Sequence, residues 1–115
     1  MPFDDAGFRQ RVLTDQESSD LAVLIQVREC VRKHWRKGST RADKFGNRCI
    51  LGWIEVKSAD RRQRNRIVQQ YVAPKVPINS HRWFPGACVA LYNDHPLRSN
   101  MEMVWLCDRA IATLA

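Results

Sequence analysis

The sequence predicts a mainly α protein, a compact single-domain bundle of four to five helices. Three observations predict it. Apolar residues recur at three- and four-residue steps from Leu21 to Trp35. A capping box, Ser99-x-x-Glu102, opens a second apolar stripe near the C terminus. Between the two, prolines and glycines separate short apolar runs. The 115 residues are about one domain's length, and a hydrophobic fraction of 44% is enough to bury a core.

Residues 1–17 read as an N-terminal arm or short helix, and 18–115 as the helical domain. The first strong helix runs from about Ser19 to Arg36, carried by Leu21, Leu24, Ile25, Arg28, Val31 and Trp35. Thr14 with Glu17, or Ser18 and Ser19, offer caps, and Gly38 offers a stop. The polar loop "GSTRADKFGNR" follows, with a turn expected at Asp43–Gly46. "CILGWIEV" reads as helix or strand alike. Its β-branched residues favour a strand and its Ile50–Trp53–Ile54 spacing a helix, so a short β-hairpin near residues 40–57 stays open. Ser58 is placed to cap a helix from about Ala59 to Val72 whose apolar face is Ile67, Val68, Tyr71 and Val72. Pro74 and Pro77 end it and begin a loop to Pro85. "GACVALY" fits a one- to two-turn buried helix. The last helix follows Ser99, with Val104, Cys107, Ile111 and Leu114 inward, widened by Met103 and Ala110.

No 18-residue apolar run is present, and the start "MPFDDAGFRQ" lacks the basic and apolar regions of a signal peptide, so a cytoplasmic protein without a membrane span is expected. Cysteines at 30, 49, 88 and 107 include no C-x-x-C pair, so no metal site and no cofactor are expected. Cys30, Cys88 and Cys107 sit among apolar residues and read as core fillers.

The net charge of +7 is unevenly placed. Met1 to Val27 carries −3, Arg28 to Arg66 carries +9, and the remainder +1. A central basic block of this kind implies an acidic partner.

Some landmarks recur as a set. Trp35 is followed by a loop carrying Asp43 and Gly46. Next comes Cys49-Ile50-Leu51-Gly52, then Tyr92-Asn93-Asp94 before Pro96, then a helix ending Asp108-Arg109-Ala110-Ile111. This order resembles a family of small proteins of unknown function found mainly in actinobacteria and their phages. Its pattern runs Cys-x-x-Gly-Ala, Trp-Asn-Asp, Asp-Arg-Ala-Ile, over about Leu21 to Leu114 here. The chain departs from that pattern at Trp53, where the family has Ala, and at Tyr92, where it has Trp. The resemblance implies a compact, mostly helical domain with Cys49 and Asn93-Asp94 as landmarks, and no activity.

Two candidate sites follow. Cys49, with His95 (or His34 or His81) as base and Asp94 or Asn93 as orienting group, is the inventory of a Cys-dependent hydrolase or transferase. A helix start at Cys49 would favour thiolate. The plainer reading makes Cys49 packing, and makes "YNDHP" a turn in which Asn93 and Asp94 bond nearby backbone. The second candidate is basic. Arg61, Arg62, Arg64 and Arg66 line one helix, and Arg32, Lys33, Arg36 and Lys37 end another. Guanidinium groups grip phosphates, and Trp35, Phe45, Trp53 or Trp83 could stack on bases if exposed. No helix-turn-helix, zinc-finger or RNP signature is present, so weak sequence selectivity is expected. The favoured reading is a non-catalytic binding protein for nucleic acid or a ribonucleoprotein complex, of the kind a phage uses to modulate or inhibit a host system. An adaptor for an acidic protein surface is the other binding reading.

Overall fold

The computed structural model describes residues 12–77 and 84–115. The expectations for residues 1–11, and for His81 and Trp83, lie outside the described residues. The protein is mainly helical, and the described residues form five α-helices joined by one core.

Helix α1, Asp15–His34, begins four residues before the expected start. The Thr14–Glu17 capping box decides this. Glu17 N–H donates to Thr14 Oγ1 at 3.1 Å, and Thr14 N–H donates to Glu17 Oε1 at 3.0 Å. The buried face is Asp20, Val23, Leu24, Val27 and Val31, and Ile25 points to solvent. Trp35 ends the helix in an extended conformation.

"CILGWIEV" resolves as α2, Ile50–Lys57. No strand forms among the described residues, and the hairpin region holds one isolated parallel bridge, Trp35 to Arg48. A lone strand would have left its backbone unpaired. The helix satisfies its own backbone and buries Ile50, Leu51 and Ile54.

Ser58 does not cap the next helix. It closes α2 instead, its N–H and its hydroxyl both donating to Ile54 O at 3.0 and 2.6 Å. Asp60 caps α3, Arg61–Arg66, by accepting from Gln63 N–H at 2.9 Å. The same rod continues as a π-helical segment, Ile67–Val72, and a 3₁₀ turn, Ala73–Lys75. The expected apolar face Ile67, Val68, Tyr71 and Val72 is buried. Pro74 cannot sit in an α-helix without clashing four residues back, and the wide turn followed by a tight one accommodates it.

Helix α4, Pro85–Asp94, opens on proline, and α5, Asn100–Ala112, opens on the Ser99–Glu102 capping box expected from the sequence. α5 packs along α1 and touches the π segment. Met103, Val104, Leu106, Cys107 and Ala110 face inward, while Ile111, assigned to the stripe, is only half-buried. Cys88 and Cys107 are core fillers, and Cys30 is half-exposed. Burial pushes the Cys107 thiol up to about 12.

Candidate functional site

The basic residues fall into two clusters at opposite ends of α1. Asp20 and Ser19, near its start, meet α3 through Gln63 and Arg66. Trp35, at its end, meets the loop 36–49. Fifteen helical residues separate the two, about 22 Å at 1.5 Å per residue.

On α3 the four arginines are not equivalent. Arg61 and Arg62 are exposed and have no partner among the described residues. Arg64 is half-buried, with one guanidinium N–H on Asn65 Oδ1 at 2.9 Å. Arg66, placed in the basic face by the sequence, is committed inward. Its Nε and Nη2 each donate to the carboxylate of Asp20 at 2.7 Å, and only 19% of its side chain is exposed. Asp20 has no exposed surface and also accepts from Gln63. Burial alone would raise the Asp20 carboxyl, but the bonds from Arg66 and Gln63 and the charge of Arg66 win and hold it below its usual range. α3 stands as a ridge between two polar clefts. Arg61 and Arg64 line one of about 570 Å³ with Glu55 and Asn65. Arg62 and Arg66 line one of about 300 Å³ with Ser19 and Gln63.

At the other end of α1, Arg32 is paired with Glu29 at 2.5 Å. Lys33 is exposed and makes no hydrogen bond or ion pair among the described residues. Arg36 Nε donates to Lys37 O at 3.3 Å, and Lys37 Nζ to Pro96 O at 2.6 Å. The loop then returns to the helix end: Arg48 N–H donates to His34 O at 3.0 Å, and Arg36 N–H to Arg48 O at 3.1 Å. This folds the loop that carries Arg41, Lys44 and Arg48 back against the end of α1, with Arg48 at the predicted cluster. Their signal in the sequence was the charge count, but nothing local said the loop would fold back.

The aromatics separate by role. Trp35 and Trp53 are half-buried and tie the loop down, Trp53 through a 2.9 Å bond from Nε1 to His34 O. Phe45 is 71% exposed.

The "YNDHP" residues close α4, but not by a local Asx turn. Asn93 is fully buried. Its Oδ1 accepts from Trp35 Nε1 at 2.6 Å and from Ile50 N–H at 3.2 Å, so an amide from α4 supplies the cap of α2. Its Nδ2 donates to Asp94 Oδ1 at 2.9 Å and to Arg36 O at 3.4 Å. Asp94 Oδ1 also accepts from Gly38 N–H at 2.8 Å. His95 Nδ1 accepts from Leu97 N–H at 3.1 Å.

Cys49 stands at the start of α2 as expected, as its N-cap residue. Burial pushes its pKa up, and the backbone N–H groups of Gly52 and Leu51 pull it down less strongly. No hydrogen bond joins Cys49 to His95, or His95 to Asp94, among the described residues. No group of three or more His, Cys, Asp or Glu there is placed to hold a metal ion. No helix there is long and apolar enough to cross a membrane.

No family model, curated protein or solved structure matches the chain.

Proposed function

We propose that this is a small basic, non-catalytic binding protein that contacts nucleic acid, alone or within a ribonucleoprotein complex. The observation that carries the reading is the lack of internal neutralisation. Thirteen cations lie between Arg28 and Arg66, and only Arg28, Arg32 and Arg66 have a carboxylate within 4.0 Å among the described residues. Arg36, Lys37, Arg48 and Arg64 bond to neutral oxygens, which fix their side chains without an ion pair within 4.0 Å among the described residues. Held guanidinium groups lose less freedom on gripping phosphate.

The two clusters, about 22 Å apart along α1, suit an extended polyanion better than a compact anionic ligand. A role as a phage-type modulator of a host nucleic-acid-handling system is compatible with such contact and follows only from the family resemblance. Binding of labelled single-stranded and duplex oligonucleotides, measured from low to physiological salt, tests the reading. Affinity that falls steeply with salt supports it. Salt-insensitive binding, or none at low salt, overturns it. Saturable binding only to an acidic protein, with losses confined to a few residues, assigns the surface to an adaptor instead.

A further inference from the structure

We infer that the tip of the loop 38–48 is a stacking site for an unpaired base, so that the ligand class is single-stranded nucleic acid. The inference rests on the reading of the basic surface given above.

Phe45 is the reason. An aromatic ring normally goes where it can be covered. This one is 71% exposed, yet the backbone beneath it is held in place without help from the ring. Asp43 Oδ1 accepts from Phe45 N–H at 2.8 Å and from Asn47 N–H at 2.9 Å. Gly46 N–H donates to Asp43 O at 3.0 Å, and Gly46 takes a φ of 81°, a conformation that glycine adopts without strain. Asp43 N–H donates to Asn47 O at 3.0 Å and closes the turn. The loop base is fixed as well: Cys49 N–H donates to Ser39 O, and Arg48 Nη1 to Thr40 O, both at 2.9 Å. A hydrogen-bonded turn therefore presents a ring that is largely open to solvent, with Lys44 Nζ at 5.1 Å from its centroid.

The surroundings select the ligand. Lys44 adjoins the ring, the same loop carries Arg41 and Arg48, and the one carboxylate in the turn, Asp43, is already occupied by backbone N–H groups. An exposed ring beside a lysine on a preformed basic loop is the pairing that single strands use, base on ring and phosphate on lysine or arginine. A duplex keeps its base faces stacked and offers the ring nothing. A membrane surface is a poorer fit, because Ala42 is the only other apolar side chain on the loop, too little for insertion.

The test compares the full chain with Phe45→Ala and Phe45→Trp, using a thymidine homopolymer, a duplex of equal length and anionic phospholipid vesicles. Because the side chain is exposed, both variants should melt like the parent. Phe45→Ala should lose roughly ten-fold in affinity for the single strand, with its salt slope and duplex affinity unchanged, and Phe45→Trp should keep the parent's affinity. Unchanged single-strand affinity in Phe45→Ala overturns the stacking site while leaving salt-dependent binding, and so the basic-surface reading, in place. No oligonucleotide binding by the parent overturns both. Loss of vesicle binding in Phe45→Ala, without loss of oligonucleotide binding, overturns the stacking site in favour of a membrane contact.

Discussion

The indole N–H of Trp35 and the amide oxygen of Asn93 lie 2.6 Å apart, joining the end of α1 to the last turn of α4. Through the same amide, Ile50 N–H and Arg36 O are satisfied, so one buried side chain holds the start and the end of the basic loop's frame. Asn93→Ala should strand these groups and lower stability by about 3 kcal/mol, given a cost of ~1–3 kcal/mol for each buried unsatisfied group. Urea unfolding checks it; a midpoint equal to the parent's would show that the amide is dispensable.

Gly52 serves the same frame from the other side. A Cβ there would meet Thr40 O at 2.5 Å and Thr40 Cα at 2.8 Å, both backbone. Gly52→Ala should cost about 1–3 kcal/mol and displace the loop. Thermal melting and oligonucleotide binding should both suffer. An unaltered melting temperature contradicts the contact.

The fold was legible where its signals were local. Ser99 and Glu102 sit three apart and cap α5 without help from the rest of the chain. Ser58 reads as the cap of the next helix, but it is taken up closing α2 on Ile54 O, and Asp60 caps α3 instead by accepting from Gln63 N–H. "CILGWIEV" is ambiguous because its β-branched residues favour a strand while Ile50, Trp53 and Ile54 keep helical spacing, and the deciding partners, Thr40 and Asn93, are distant in sequence. The withdrawal of Arg66 depends on an ion pair 46 residues apart, and the exposure of Phe45 on a turn that closes without it. Neither leaves a mark in a periodicity.

The Asp20–Arg66 pair makes a pH prediction. Asp20 is held below its usual range in the folded state, so its contribution is present above the unfolded carboxyl value of about 3.9 and lost as pH falls through the lower folded value. Arg66→Met leaves a buried carboxylate without its cation and should cost about 3–5 kcal/mol at neutral pH. In that variant burial raises Asp20, so the deficit should narrow on acidification. A deficit independent of pH contradicts the pairing.

Thiol labelling separates contact from catalysis. Cys49 is buried with a raised pKa, whereas Cys30 is half-exposed. A maleimide at neutral pH should modify Cys30 before Cys49, and Cys49→Ala should bind oligonucleotide like the parent. Rapid, selective modification of Cys49 would point to a reactive nucleophile.

The basic clusters themselves give the most direct test. Affinity for a single-stranded homopolymer would be followed against salt for the parent, for Arg61→Glu/Arg62→Glu/Arg64→Glu, and for Lys33→Glu/Arg41→Glu/Lys44→Glu. Each triple reversal should weaken binding and flatten the slope of log affinity against log salt by about 0.7 for every phosphate contact removed. If both variants keep the parent's affinity and slope, the central block is a solvated face and the protein does not act through it.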